Sequence, residues 1–261
     1  MLIECAPMAG YTNFEFRKVI VECGAKVVWT EMVSAAAIYF GNKKTLKLLE
    51  CEKVKGVKNV VQLFGNNPKY FEFAIKSGLL KDFDEININM GCPANKIIRN
   101  SEGVGLMTKP ELASQIIKVC VECSAVPVSV KMRLGIKQGY DYVTFAKMCE
   151  NAGAKRLVVH GRYAEQGYSG KADWNAIAEI VEDVKIPVIA NGDIRTLDDA
   201  RNCLIQTGAA GVMVGRALLP LYRKYFGQNL RILRGEKICR DGGIDLCPDN
   251  LIKLFAESDT D

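Results

Sequence analysis

The sequence predicts an α/β fold, a (β/α)8 TIM barrel with a short helical C-terminal extension. Three observations predict it. Eight short runs rich in Val and Ile recur along the chain, alternating with longer segments of helical period. Such alternation implies a parallel sheet with helices outside it. The 261 residues match the roughly 250 that a barrel takes, with little to spare. Polar residues also recur at the C-terminal ends of successive runs, where barrel active sites form.

The runs read as strands are 2–6, 26–30, 59–64, 85–89, 127–132, 156–160, 187–190 and 211–214. The helical segments between them are 14–23, 68–77, 110–123, 142–152, 174–183 and 197–206. Pro68 and Pro110 suit first-turn positions, and Gly24, Gly78, Gly153 and Gly208 follow helices, as terminators do. Two connections are irregular. Residues 31–58 include a basic and aromatic piece, 39–47, and residues 91–109 are polar and glycine-rich. Both follow strands and are expected on the C-terminal face. After Pro220 the barrel pattern stops. The domain reading is therefore a barrel over 1–220 and a short tail over 221–261, comprising a basic helix, a turn at Asp241-Gly242-Gly243 and a last short helix.

Composition narrows the class. Nearly half the residues are apolar, a quarter are charged, and no tract is biased, as in a protein with a packed core. No apolar run reaches the roughly 18 residues of a membrane span. The start, Met1-Leu2-Ile3-Glu4-Cys5, lacks a basic region and apolar stretch, so a cytoplasmic location and no membrane partner are expected. Of ten cysteines, Cys5, Cys120, Cys149 and Cys203 sit in apolar or helical contexts that suit buried free thiols. Cys120 and Cys123 form a single C-x-x-C within a helix, and His160 is the one histidine, so no metal is expected. The net charge of +5 is uneven: Arg223, Lys224, Arg231, Arg234, Lys237 and Arg240 face one acid, Glu236. That segment is either a nucleic-acid footprint or a solvated helix face.

The strand ends carry the candidate chemistry. The fourth strand ends in Asn87-Ile88-Asn89 and runs into Gly91-Cys92-Pro93. The fifth ends at Lys131 and Arg133, the sixth at His160 and Arg162, the seventh at Asn191-Gly192-Asp193 and the eighth at Gly215-Arg216. The last two turns read as a phosphate cradle. Their glycines let backbone N–H groups approach an anion, and Arg216 adds charge-assisted bonds. Tight turns alone are the plainer reading of those glycines. Lys131 has three readings: a Schiff-base lysine, a cation holding a bound group, or a solvated surface residue. Cys92 is either loop packing or an active-site thiol serving as acid or nucleophile.

Nine segments together reach a known family: Ala6-Pro7-Met8-Ala9-Gly10, Thr30-Glu31-Met32, Val61-Gln62-Leu63-Phe64-Gly65, Asn87-Ile88-Asn89-Met90-Gly91-Cys92-Pro93, Val130-Lys131-Met132-Arg133-Leu134-Gly135, Val159-His160-Gly161-Arg162, Gln166-Gly167-Tyr168-Ser169-Gly170, Asn191-Gly192-Asp193-Ile194 and Val214-Gly215-Arg216. In order and spacing, over roughly residues 3 to 220, they resemble tRNA-dihydrouridine synthases, most of all the bacterial B-type branch. The resemblance implies FMN on the C-terminal face. Pro7, Met8, Ala9 and Gln62 would contact its isoalloxazine ring. Lys131 and His160 would hold the ring's polar edge and the ribityl–phosphate region. Asn191, Gly192, Asp193, Gly215 and Arg216 would bind the ribityl chain and phosphate.

The resemblance makes Cys92 the proton donor, puts Asn89 and Arg133 near the uracil, and sets Arg162 against RNA phosphate or the target nucleotide. It implies reduction of uridine in tRNA to 5,6-dihydrouridine. Hydride goes from reduced FMN to C6 and a proton from Cys92 to C5, with NADPH (or NADH) reducing the flavin in the same pocket. A thiol suits an acid near neutrality, since its unperturbed pKa is about 8.5. The base must be splayed out of the RNA to be reached. Ribosomal RNA is a further substrate within this class. The tail over 221–261 reads as a truncated form of the family's helical RNA-binding domain, and a monomer is expected. Two rival readings are an FMN-dependent reductase of a free pyrimidine or enone, and a catalytically inactive RNA-binding paralogue.

Overall fold

In a computed structural model, which describes residues 1–51 and 53–226, eight parallel strands form one sheet that curls on itself. They are β1 (Leu2–Cys5), β2 (Val27–Ser34), β3 (Lys58–Phe64), β4 (Glu85–Met90), β5 (Val128–Arg133), β6 (Leu157–His160), β7 (Val188–Asn191) and β8 (Gly211–Val214). Consecutive strands pair from β2 to β8, and β8 returns to pair with β1. The seam between β1 and β2 is bridged inside by Trp29, whose Nε1 donates to Glu4 Oε2 at 3.0 Å. The barrel is the fold class that the sequence predicts.

Ten helices among the described residues lie around it: α1 (Phe14–Glu22), α2 (Ala35–Tyr39), α3 (Lys43–Leu46), α4 (Pro68–Lys76), α5 (Asn95–Arg99), α6 (Pro110–Cys123), α7 (Tyr142–Asn151), α8 (Trp174–Asp183), α9 (Leu197–Thr207) and α10 (Leu219–Phe226). Their starts follow local chemistry. Asn13, Asn67, Asp141 and Asp173 each accept an N–H from the first turn of α1, α4, α7 and α8. Thr196 and Asp199 cap α9 reciprocally. Gly208 ends α9 in the left-handed region, at φ 64. The long connection 31–58 holds elements that periodicity misses: the end of β2, the short helices α2 and α3, and a 3-10 turn, Lys47–Leu49. Likewise 91–109 contains α5 and a 3-10 segment, Gly103–Thr108. The basic helix expected from 221 begins within α10; its continuation, the turn at 241–243 and the last helix lie outside the described residues.

The strands are buried on both faces, as parallel strands are. Outward strand side chains such as Ile86, Ile88 and Met90 share one core cluster with the helix residues Phe16, Phe71, Ile117, Phe145 and Ile177, none of them more than 2% exposed. Burying each such side chain contributes about 1.5–3 kcal/mol. Inward side chains fill the barrel: Ala6, Val27, Trp29, Val60, Val158, Ile189 and Met213 form a separate apolar plug. Below the plug the floor is charged. Arg156 Nε donates to both carboxylate oxygens of Glu85 at 2.9 Å, and its Nη1 donates to Glu4. Lys58 Nζ adds a pair to Glu85 at 2.6 Å. Above the plug lie the strand ends that build the site. No helix among the described residues is long and apolar enough to cross a membrane.

Candidate active site

The C-terminal strand ends enclose a cavity of about 530 Å³, within the usual range for a cofactor or small ligand. On its β4 side, Asn89 Oδ1 accepts the N–H groups of Gly91 at 3.2 Å and Cys92 at 2.9 Å. Asn89 Nδ2 donates to Gln62 Oε1 at 2.8 Å. Cys92 is thereby set on the rim, half-buried, with its carbonyl held by Val104 N–H at 3.2 Å. Gly103, at φ 56, lies against this turn so closely that a Cβ there would stand 2.8 Å from the Cys92 carbonyl oxygen. Arg133 braces the same turn. Its Nε donates to Gly91 O at 3.1 Å and its Nη1 to the carbonyls of Tyr163 and Gly167. Its Nη2 makes no hydrogen bond to the described residues, and the side chain lines the cavity.

Lys131, in register beside Asn89 on β5, reaches round to β7, where its Nζ donates to Asn191 Oδ1 at 2.9 Å, and Asn191 Nδ2 donates to Met213 O at 2.8 Å. Gly192 follows at φ 121; a Cβ there would meet Ala172 Cβ at 2.6 Å and His160 Cδ2 at 3.0 Å. Asp193, itself left-handed at φ 59, is a hub. Its carboxylate accepts from Arg162 Nη2 at 2.7 and 2.8 Å, Arg216 Nη2 at 2.9 Å and the Ala172 N–H at 2.7 Å. Arg216 also lies 4.7 Å over the ring of Tyr168, an exposed residue at the mouth.

Four groups titrate away from their ordinary values here. Burial, then the neighbouring Arg133, brings the Lys131 amine down to about 7. Burial and then Lys131, Arg133, Arg162 and Arg216 push His160 down to about 2, so its imidazole is neutral. Burial also lowers Arg133. At Asp193 burial acts upward, but the Arg162 bond, the Ala172 amide and Arg216 outweigh it and hold the carboxyl low. A cavity with this excess of positive charge favours an anionic or electron-rich ligand. Its thiol rim offers a proton or a nucleophile.

Residues 4–221 match the family model described as dihydrouridine synthase (Dus). The chain belongs to the dihydrouridine synthase family. Among its relatives, "Probable tRNA-dihydrouridine synthase" of Rickettsia conorii is 40% identical over 212 residues, 81% of this chain and 64% of the relative. "Probable tRNA-dihydrouridine synthase 1" of Synechocystis sp. is 38% identical over 217 residues, covering 82% and 60%. "tRNA-dihydrouridine synthase B" of Yersinia pestis is 36% identical over 214 residues, covering 81% and 66%. The chain thus spans less than two thirds of the length of these relatives. Among solved structures, histamine dehydrogenase from Rhizobium sp. 4-9 shares the fold at TM-score 0.64 and 13% identity, over 87% of this chain and 45% of that one. A mandelate oxidase does so at 0.57 and 18%, over 98% and 71%.

Most of the residues that the sequence singles out converge in this dihydrouridine synthase barrel. Cys92, Pro7, Met8, Ala9, Gln62, Asn89, Lys131, Arg133, His160, Asn191, Gly192, Asp193, Gly215 and Arg216 all line one cavity. Arg162 stands apart. It is 1% exposed and lies behind the wall, its guanidinium spent on Asp193 and the carbonyls of Ser169 and Gly170. Sequence reasoning assigned no role to Tyr168, Tyr11, Met32 or Arg195, which also line the cavity. Tyr168 and Met32 fall inside the segments that carry the family resemblance, which was the available signal. Tyr11 and Arg195 lie just past the first and seventh strands, at the C-terminal face.

Proposed function

We propose that this protein reduces specific uridines in tRNA to 5,6-dihydrouridine, using FMN in the strand-end cavity and Cys92 as the acid. The observation that carries the reading is the set facing one cavity in a member of the dihydrouridine synthase family: Cys92 on the rim, with Lys131, Arg133 and neutral His160 lining the same cavity. The residues present suit FMN. The volume is adequate, and Pro7, Met8 and Ala9 give an apolar wall for a planar ring. Gly215, where a Cβ would stand 3.4 Å from Ala6 Cβ, leaves backbone room beside Arg216 for a phosphate. Lys131 would hold the polar edge of the ring, and Asn191, Gly192, Asp193 and Arg216 the ribityl chain and phosphate.

Reduced flavin supplies the hydride equivalent that uracil needs at C6. The chain's own residues do the rest. Asn89 and the free Nη2 of Arg133 hold the base, and the braced turn keeps the thiol on the rim. Cys92 gives its proton to C5, completing the addition of two electrons and two hydrogens across C5=C6. NADPH (or NADH) would be the source of the reducing equivalents, reaching the flavin through the same cavity. Residues 1–220 carry this chemistry, and 221–261 contribute a short basic contact to RNA. Arg162 serves as a positioning residue, holding Asp193 and the loop at 169–170. Cys92→Ala is expected to keep bound flavin and lose dihydrouridine formation. Modification of unmodified tRNA at the parental rate by Cys92→Ala would refute the acid assignment. Turnover of free uracil or orotate without action on tRNA would refute the substrate assignment.

A further inference from the structure

A polar ladder crosses the barrel interior from the charged floor to the Cys92 turn. Glu85, Asn87 and Asn89 occupy alternate positions of β4, so all three face inward. Beside Asn87, in register, stand Gln62 of β3 and Ser129 of β5. Gly91 and Cys92 donate their N–H groups to Asn89 Oδ1. Asn89 Nδ2 donates to Gln62 Oε1 at 2.8 Å, and Gln62 Nε2 to Asn87 Oδ1 at 2.9 Å. Asn87 Nδ2 donates to Ser129 Oγ at 2.8 Å, and the Ser129 hydroxyl donates to Glu85. Gln62, Asn87, Ser129 and Glu85 are at most 1% exposed, and Asn89 is 8% exposed.

Each end of the ladder permits one sense only. Glu85 is clamped by Arg156 and Lys58, and a carboxylate so engaged accepts. Backbone N–H groups at the other end can only donate. Every rung between must then donate downward. Reversing one amide would set two N–H groups, or two oxygens, face to face where water cannot compensate. Gln62 and Asn89 are also the two rungs that line the cavity. Gln62 keeps one amide hydrogen outside the ladder, whereas the second amide hydrogen of Asn89 faces Met32 Sδ at 4.0 Å.

We propose that Glu85, Ser129 and Asn87 are positioning residues for the reaction. The floor carboxylate sets the direction of every amide above it, and through Asn89 it fixes the Cys92 turn. This rests on the reading of Cys92 as the acid. None of the three touches substrate or cofactor in this account; they act from inside the barrel.

The test uses Ser129→Ala, which removes one rung, and Ser129→Thr, which restores the hydroxyl. Iodoacetamide labelling of the FMN-free protein is read at the Cys92 peptide by mass spectrometry, with half-buried Cys51 as the internal standard. Loss of the anchoring bond is expected to raise the Cys92-to-Cys51 labelling ratio in Ser129→Ala by about fivefold or more. The same variant should lower kcat for dihydrouridine formation and shift the visible spectrum of added FMN, with KM for tRNA unchanged. Ser129→Thr should recover all three. A labelling ratio within about twofold of the parent, or no recovery in Ser129→Thr, would overturn the proposal. Glu85→Gln, isosteric but able to donate, should move the ratio in the same direction and decides the matter if Ser129→Ala does not fold. Unfolding of both would assign the ladder to stability alone and overturn the proposal too. Labelling needs no turnover, so it separates this idea from the acid assignment, which Cys92→Ala tests.

Discussion

Asp193→Asn removes one negative charge and almost no volume from the hub beside the proposed phosphate site. In the parent, the carboxylate neutralises Arg162, which is 1% exposed, while Asp193 itself is 21% exposed. Removing one partner of a buried ion pair costs about 3–5 kcal/mol. Two factors reduce this. Solvent reaches the Asp193 end, and the carbonyls of Ser169 and Gly170 still accept from Arg162. The expected loss is therefore about 2–3 kcal/mol. Asparagine tolerates the left-handed backbone at φ 59, so strain does not enter. For a domain of this size each kcal/mol moves Tm by about 2–4 °C, so Tm near neutral pH should fall by about 5–10 °C by scanning calorimetry. The pH dependence adds a second check. The Asp193 carboxyl lies below its ordinary value, so its stabilisation is present above the unfolded pKa and is lost as pH falls through the folded one. The gap between parent and variant should close below about pH 4. A variant that melts within about 1 °C of the parent near neutrality would show that Arg162 does not depend on this carboxylate.

Three other outcomes are expected. Gly192→Ala forces a Cβ to 2.6 Å from Ala172 Cβ at φ 121, so the purified protein should lack flavin absorbance and resist reconstitution with FMN. Lys131, brought down to about 7 by burial, should gain a proton when an anionic cofactor binds. Calorimetric titration with FMN above that pH, in buffers of different ionisation enthalpy, should show proton uptake that Lys131→Met abolishes. His160 is held neutral by burial in the fold but is free to charge once unfolded. Its contribution is thus present above about pH 6.5 and is lost at about 1.4 kcal/mol per unit as pH falls, a slope that His160→Gln should remove from urea unfolding curves.

The sequence exposes what repeats locally and hides what meets across the barrel. β8 and the helices α6 and α8 have the ends that periodicity and caps predict, because each is bounded by its own Gly, Pro or Asp signals. β2 runs beyond Thr30 because its register with β3 shifts between Trp29 and Met32, and the chain resumes pairing after the irregularity. α2 and α3, of five and four residues, are too short to show a helical period. The strand-end residues of the site were legible because a parallel strand buried on both faces gains nothing from a terminal Asn, Lys or His unless the barrel mouth uses it. The role of Arg162 was not legible. Its position two residues after His160 places it at the same mouth, but its direction is decided by Asp193, 31 residues later. The ladder is hidden for the same reason. Asn87 reads only as one of the polar residues at the end of its strand and Ser129 carries no signal, and only the partnership of β3, β4 and β5 reveals that each satisfies the next. An inward polar residue in mid-strand is costly unless paired. Gln62, Asn87 and Ser129 share one layer, each at the same height on neighbouring strands. That coincidence could be read from the sequence once the registers are known, and it marks where this barrel gives up apolar core for a layer of paired polar groups beneath the Cys92 turn.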